Sequence, residues 1–108
     1  MSEAGNWVRV AGIKQVGRGE MFAASVGKRK IALFHLEDGS WHATDNVCTH
    51  AFALLTEGFL DGEVIECPLH AGRFDVRTGK GLCAPIETDL ATYQVRVDGA
   101  DVLVAVPG

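Results

Sequence analysis

The chain has 108 residues, of which 47% are hydrophobic, and a formal net charge of −4. A chain of this length forms one domain and buries about two-thirds of its unfolded surface, so we predict a single domain over residues 1–108 whose core needs neither metal nor disulfides. The negative charge argues against nucleic acid as a partner, because phosphates require a basic face. The longest clear apolar runs have five residues, far fewer than the roughly 20 of a membrane helix, and the first residues do not resemble a secretory leader. We therefore expect a cytoplasmic protein with no membrane segment.

The predicted secondary structure is β throughout. Short apolar or alternating runs are separated by glycine-bearing turns, and no stretch keeps a helical period of 3.6 residues. The Asp-Gly pairs at 38–39 and 98–99 are typical of hairpin turns, and residues 27–29 form a third candidate turn. The predicted strands are residues 21–26, 30–36, 40–45, 92–97 and 101–106. These observations predict an all-β fold built on hairpins.

Residues 46–85 differ in kind from the hairpins on either side. This segment holds all three cysteines, two of the four histidines and two of the three prolines. We interpret it as an elaborated insertion between two parts of a β scaffold, residues 1–45 and 86–108. Because loops carried on a rigid scaffold commonly hold functional residues, the insertion is the predicted functional segment.

Two pairs of metal-binding residue types lie in that insertion. They are Cys48-x-His50 and, after sixteen intervening residues, Cys67-x-x-His70. Two thiols and two imidazoles suit either a tetrahedral zinc site or an iron–sulfur cluster. A Cys-x-His pair in an extended segment leaves its Cα atoms about 6.7 Å apart on one face, which favours two neighbouring metals over one shared ion. The spacing alone leaves both chemistries open.

The sequences Cys48-Thr49-His50 and Cys67-Pro68-Leu69-His70 resemble the ligand signature of Rieske [2Fe–2S] proteins. The resemblance is closer to the Rieske-type ferredoxins of bacterial aromatic-ring dioxygenases, covers nearly the whole chain, and is also specific at residues 57–62. It implies a Rieske fold, an antiparallel β sandwich with a cluster-binding subdomain at 46–85. It also implies that Cys48 and Cys67 hold one iron of a [2Fe–2S] cluster as thiolates, while His50 and His70 hold the other.

The same resemblance implies a function. The chain would be a one-electron carrier between an NAD(P)H-dependent flavoprotein or iron–sulfur reductase and a terminal aromatic-ring-hydroxylating oxygenase, with transient docking near His50 and His70. We expect no enzyme activity of its own, because the sequence has neither a glycine-rich dinucleotide fingerprint nor a supported nucleophile and base. Two alternatives are a zinc-binding structural β module and a cluster-free Rieske-like regulatory subunit of a larger enzyme.

The covering loop and the glycines carry further expectations. Pro85 resembles the family's proline loop over the cluster, and the glycines at 72, 79 and 81 permit tight turns that bring amides close to sulfur. The family often has glycine directly after each histidine ligand, where this chain has Ala51 and Ala71. These two departures are expected to change the aim of the amide donors.

Other residues have simpler predicted roles. We expect Cys83 to be a buried thiol outside the ligand set, and His35 and His42 to be packing or surface residues. Residues 51–55 either return the chain to the core or form an apolar collar near the histidines. The predicted core anchors are Trp7, Phe34 and Trp41.

The resemblance also bears on the reduction potential. Rieske proteins of respiratory chains carry a bridging cysteine pair at positions that correspond to Ala53 and Leu69 here. They also carry a serine in the second loop, after the histidine, where this chain offers Ala71, Gly72 and Arg73. Without these features, the potential is expected near the low end of the Rieske range.

Overall fold

A computed structural model of the chain describes residues 6–49, 52–69, 71–84, 86 and 88–107. The predicted all-β fold is confirmed. Two short 3-10 helices, Ile13–Gln15 and Leu55–Glu57, interrupt the strands. None of the helices within these ranges has the length and apolar character to cross a membrane. The ten strands are β1 Asn6–Gly12, β2 Glu20–Val26, β3 Arg29–His35, β4 Trp41–Asp45, β5 Phe59–Asp61, β6 Val64–Glu66, β7 Arg73–Asp75, β8 Thr92–Tyr93, β9 Val95–Asp98 and β10 Asp101–Val106.

Two sheets are built from the ends of the chain. One has the strand order β1-β10-β9 and the other β2-β3-β4-β8. The predicted hairpin between β2 and β3 is present, but its turn is shorter than expected because Val26 pairs with Arg29. Gly27 adopts φ +61° in that turn, a backbone conformation that residues other than glycine seldom adopt. Gly99 does the same between β9 and β10, with φ +64°.

Strand β3 lies between two apolar cores and is buried on both faces. Ile31 and Leu33 pack in the core of the two larger sheets. Ala32 and Phe34 point the other way, into a second core. An antiparallel strand with one solvated face would alternate apolar and polar residues, so this double burial explains the unbroken apolar run.

The third sheet has the order β5-β6-β7 and lies entirely within the predicted insertion. Its cross-strand pairs Leu60–Ile65 and Ile65–Phe74 share one face. Ile65 and Phe74 are fully buried on that face, in the same core as Phe34 of β3. The small sheet is therefore anchored to the larger one by ordinary apolar packing.

An ion-pair network also joins the small sheet to the scaffold. Arg77, which follows β7, contacts Asp38 at 2.6 Å and Glu63 at 3.1 Å. Asp38 belongs to the turn before β4, whereas Glu63 belongs to the turn between β5 and β6. All three side chains are largely exposed to water, so each pair contributes little to the stability of the fold.

Of the predicted core anchors, only Phe34 is fully buried. Trp41 is half-buried and stacks on His35 with ring centroids 3.8 Å apart. Trp7 is also half-buried, with the Arg96 guanidinium 4.5 Å from its ring centroid. Both indoles therefore sit at the margin of a core, where an amphipathic ring can pack and still remain partly in water.

Candidate metal centre

The two predicted cysteine ligands lie together in one apolar core. Cys48 follows β4, and Cys67 comes directly after β6. They are 4% and 1% exposed and share that core with Leu55, Ile65 and Phe74. Residues 19 positions apart in the chain are thus brought together in the core that β3 and β6 share.

The thiols interact directly, and their surroundings are unfavourable for charge. Burial raises the pKa of the Cys67 thiol; a backbone hydrogen bond from Leu69 opposes this shift, and the hydrogen-bonded Cys48 thiol adds to it. Two adjoining thiolates in an apolar core would repel each other. A bound metal supplies the positive charge that lets both thiols deprotonate, so this donor pair fits a thiolate-bound metal centre.

The loop that carries Cys48 is closed at its base by backbone hydrogen bonds. The Cys48 N–H donates to the carbonyl of Ala53 at 2.9 Å, and the Leu55 N–H donates to the carbonyl of Asn46 at 2.8 Å. Val47 and Leu54 form an isolated bridge between these two contacts. The Cys48 backbone is therefore held on a narrow, hairpin-like stem.

The loop that carries Cys67 closes more tightly. The Cys67 N–H donates to the carbonyl of Gly72 at 2.7 Å. Ala71, inside this loop, has φ +57°, a left-handed conformation that glycine adopts more easily than alanine. The turn geometry here thus suits the glycine that the family often has after its second histidine.

A third loop, residues 79–90, is tied to both ligand loops. Its Leu82 N–H donates to the carbonyl of Arg73 at 2.9 Å, and the Thr49 hydroxyl donates to the carbonyl of Thr88 at 2.7 Å. Gly79 has φ +81°, and a Cβ there would overlap the carbonyl oxygen of Leu90. The predicted tight turn at Gly79 is confirmed, whereas Pro85 lies outside the described residues.

Within residues 52–55, the expected return of the chain to the core is seen, and one large apolar side chain stays exposed. Leu55 is fully buried in the core with Cys48, whereas Phe52 is 99% exposed. Leu69 of the second ligand loop and Leu82 of the third are 43% and 46% exposed. Each of the three loops therefore presents one large apolar side chain to solvent, and we call Phe52, Leu69 and Leu82 the apolar rim.

The remaining histidines behave as predicted. A ring nitrogen of His35 is hydrogen-bonded to the carbonyl of Val16 at 2.8 Å. His42 is hydrogen-bonded to the Ser40 hydroxyl at 2.9 Å, and burial lowers the pKa of its ring. His50 and His70, the two predicted imidazole ligands, lie outside the described residues, as does Ala51. Within the described residues, no three histidine, cysteine or acidic side chains are gathered as a metal site.

The prediction that Cys83 is buried is wrong. Cys83 is exposed, and its thiol makes a long contact of 4.0 Å with the carbonyl of Ala71. The loop around Cys83 is closed by a backbone hydrogen bond from the Ile86 N–H to the Cys83 carbonyl, 3.0 Å, and Ile86 rather than Cys83 packs against the core. The Cys83 side chain is consequently left at the surface.

Asn46, at the base of the first ligand loop, was not among the functional residues predicted from the sequence. Asn46 is 2% exposed, and its side-chain amide is paired with Thr56. A signal was present, because a polar residue directly between a strand and a ligand loop is well placed to fix that junction. Because asparagine is not a typical ligand of zinc or of iron–sulfur clusters, the residue was not predicted as part of the site.

Comparison with known proteins identifies this arrangement. Residues 6–94 match the family model of the Rieske [2Fe-2S] domain. The chain belongs to the Rieske family. It therefore carries a Rieske-type [2Fe–2S] cluster, and neither the zinc-binding module nor the cluster-free subunit is favoured.

Relatives of known function and structure resemble the chain over most of its length. The ferredoxin component of the naphthalene 1,2-dioxygenase/salicylate 5-hydroxylase systems of Ralstonia sp. is 45% identical over 91% of this chain and 93% of the relative. The ferredoxin of carbazole 1,9a-dioxygenase from Nocardioides aromaticivorans superposes with a TM-score of 0.87, at 41% identity, covering 95% of this chain and 99% of that one. A chain in a complex of reduced oxygenase and oxidized ferredoxin in carbazole 1,9a-dioxygenase gives a TM-score of 0.85, at 36% identity, covering 92% of each chain.

Proposed function

We propose that the chain is the ferredoxin component of an aromatic-ring-hydroxylating dioxygenase system. It takes single electrons from an NAD(P)H-dependent reductase and delivers them to the terminal oxygenase. The observation that carries this proposal is the buried Cys48–Cys67 pair directly beneath loops with exposed apolar side chains. The relatives named as ferredoxin components, together with the ferredoxin–oxygenase complex, support the assignment.

The proposed ligands are Cys48 and Cys67 for one iron, and His50 and His70 for the other. Two neutral imidazoles in place of two thiolates remove negative charge, so the cluster accepts an electron at a higher potential than an all-cysteine cluster. The protein supplies the apolar core that surrounds both thiols. It also supplies the Leu69 N–H, which hydrogen-bonds Cys67 and so offsets thiolate charge.

We also propose the corresponding division of the chain. Residues 46–85 form the cluster-binding subdomain, with the sheet β5-β6-β7 as its framework, on a scaffold of residues 1–45 and 86–108. A cytoplasmic location is proposed as well. It is supported by the exposed thiol of Cys83, which suits a reducing compartment.

The apolar rim is the proposed docking face for both redox partners. Phe52 is two positions from His50, and Leu69 adjoins His70, so a partner seated on the rim would lie next to the proposed imidazole ligands. Large exposed apolar side chains that cluster around a functional site commonly mark interfaces. Redox partners usually meet over small, transient interfaces. A contact centred on the three side chains of the apolar rim would be a small interface of this type.

The docking proposal predicts the effect of a charge at the rim. Phe52→Glu should slow electron delivery to the oxygenase by about tenfold or more, because docking would bury an unpaired carboxylate. Delivery is measured as NAD(P)H-driven product formation with reductase and oxygenase added. The visible spectrum of the cluster should not change, since the Phe52 side chain is in solvent.

Val97→Glu is the matched control for that experiment. Val97 is 44% exposed on β9, in a sheet that contains no ligand loop. The control should transfer electrons at the wild-type rate. Equal slowing by both substitutions would place docking elsewhere, and NAD(P)H oxidation by the isolated chain would contradict its role as a carrier.

A second prediction concerns the reduction potential. The midpoint should lie below zero, near the low end of the Rieske range of about −150 to +300 mV. The cysteine bridge of respiratory Rieske proteins cannot form with Ala53 and Leu69, and Ala71 offers no hydroxyl to stabilise the reduced cluster. Protein-film voltammetry at neutral pH measures the midpoint, and a value well above zero would show that these residues do not set it.

A further inference from the structure

Asn46 joins three parts of the structure at the base of the first ligand loop. Its backbone N–H donates to the carbonyl of Lys30 at 2.8 Å, and its own carbonyl accepts from the N–H of Leu55 at 2.8 Å. Its side-chain oxygen accepts from the N–H of Thr56 at 2.9 Å, while its side-chain nitrogen donates to the Thr56 hydroxyl at 2.9 Å. One residue thus connects the scaffold to both ends of the loop that carries Cys48.

We infer that Asn46 is a positioning residue for the Cys48 thiol. The loop between Asn46 and Thr56 begins and ends at this one side-chain pair, and Cys48 lies two residues inside it. The inference rests on the proposed ligand role of Cys48. It goes beyond that role because Asn46 itself touches no metal.

Burial makes the Asn46–Thr56 pair specific. Asn46 is 2% exposed, so water cannot easily replace a lost partner for its amide or for the Thr56 N–H. An amide offers a donor and an acceptor on one side chain, and Thr56 uses both. An apolar side chain of similar size would leave the Thr56 N–H unpaired in the core and release the second half of the loop.

The rest of the stem does not replace this pair. The contacts Cys48–Ala53 and Leu55–Asn46 are backbone hydrogen bonds within the loop itself, so they can move with it as a unit. The Asn46–Lys30 contact holds the start of the loop on β3, and the Asn46 side chain ties Thr56, at the end of the loop, to that fixed point. Losing the side-chain pair should therefore let the Cys48 thiol shift with respect to Cys67, which is held on β6.

The test compares Asn46→Leu with Val104→Ala in the cluster-loaded protein. Val104 is fully buried in the core of the two larger sheets, so its truncation destabilises the fold without touching the ligand loops. Asn46→Leu should release iron to a chelator at least about tenfold faster than wild type, because it removes both side-chain hydrogen bonds to Thr56, and it should shift the electron paramagnetic resonance spectrum of the reduced cluster. Val104→Ala should lower the thermal midpoint but keep the wild-type spectrum and release rate.

Single variants at Thr56 keep the inference testable if Asn46→Leu folds poorly. Thr56→Val removes only the hydroxyl contact and should speed iron release less than Asn46→Leu, while Thr56→Ser should behave as wild type. The double variant Asn46→Leu with Thr56→Val should speed iron release by less than the two single effects combined. The reason is that both single substitutions remove the same hydrogen bond, between the Asn46 amide and the Thr56 hydroxyl. Two results would overturn the positioning role. One is additive effects of the Asn46 and Thr56 substitutions on iron release; the other is iron release that follows thermal stability in the same way in Asn46→Leu and Val104→Ala.

These measurements use neither reductase nor oxygenase. The expected Asn46 effects in a chain that fails to carry electrons would overturn the proposed function and leave this inference standing. The opposite result is also distinguishable. If the wild-type chain delivers electrons normally, but Asn46→Leu has the wild-type spectrum and iron-release rate, the proposed function stands and the positioning role of Asn46 is overturned.

Discussion

Serine in place of Cys48 or Cys67 will leave the chain without its [2Fe–2S] cluster. Both thiols are buried, at 4% and 1% exposure, in a core whose other buried members, among the described residues, are apolar side chains that bind no metal. A serine hydroxyl at either position is a harder, far less acidic donor than the thiol, so it cannot supply the soft thiolate that iron–sulfur clusters require. Iron analysis and the visible spectrum should show loss of both the two irons per chain and the red-brown colour.

Cys83→Ser is the control for that experiment. Cys83 is exposed and lies in the third loop, so its substitution should leave iron content and spectrum at wild-type values. Because the wild-type chain and the control share every proposed ligand, they should bind the same metal. One zinc per chain, in protein produced with ample iron, would contradict the proposed ligand chemistry.

The strands were predictable where turn chemistry and apolar pattern agree. The Asp38-Gly39 turn and the hairpin around Gly99 were both located from the sequence, since few residues other than glycine adopt φ values near +60 to +90°. The small sheet β5-β6-β7 was not predicted strand by strand. Its strands have three residues each, too few to show a period, and they are stabilised by packing on β3 rather than by local preference.

Ligand chemistry was predictable from the sequence, whereas burial was not. The spacing of Cys48 and Cys67 indicated a metal centre because thiols in such pairs have few other uses in a reducing compartment. Cys83 is the same residue type, yet it lies at the surface, because Ile86 rather than Cys83 packs that loop against the core. Asn46 shows the converse, since its importance comes from a partner ten positions away.

Gly58→Ala should damage both the fold and the site around Cys67. Gly58 precedes β5, and a Cβ there would overlap the carbonyl oxygen of Glu66 and lie 3.1 Å from Cδ of Pro68. Its φ of −92° is open to any residue, so the constraint is space rather than backbone strain. Because the crowded atoms belong mainly to backbone, no side-chain rotation can relieve the overlap.

The displaced backbone is the segment that leads into Cys67. Overpacking of a well-packed site costs about 1–3 kcal/mol and sometimes more, and contact with backbone places Gly58→Ala at about 3 kcal/mol. For a domain of this size, that loss lowers the thermal midpoint by about 10 °C or more. A shift of Glu66 also moves Cys67 relative to Cys48, so iron content should fall together with stability.

Gly62→Ala separates this clash from the general cost of replacing a glycine. Gly62 lies in the turn between β5 and β6 with φ +61°, and a Cβ there would meet nothing within 4 Å. It should therefore cost about 1–2 kcal/mol for the left-handed conformation alone and retain full iron content. If Gly58→Ala proves no more harmful than Gly62→Ala in thermal unfolding and iron analysis, the close approach of β5 to Glu66 does not hold Cys67 in place.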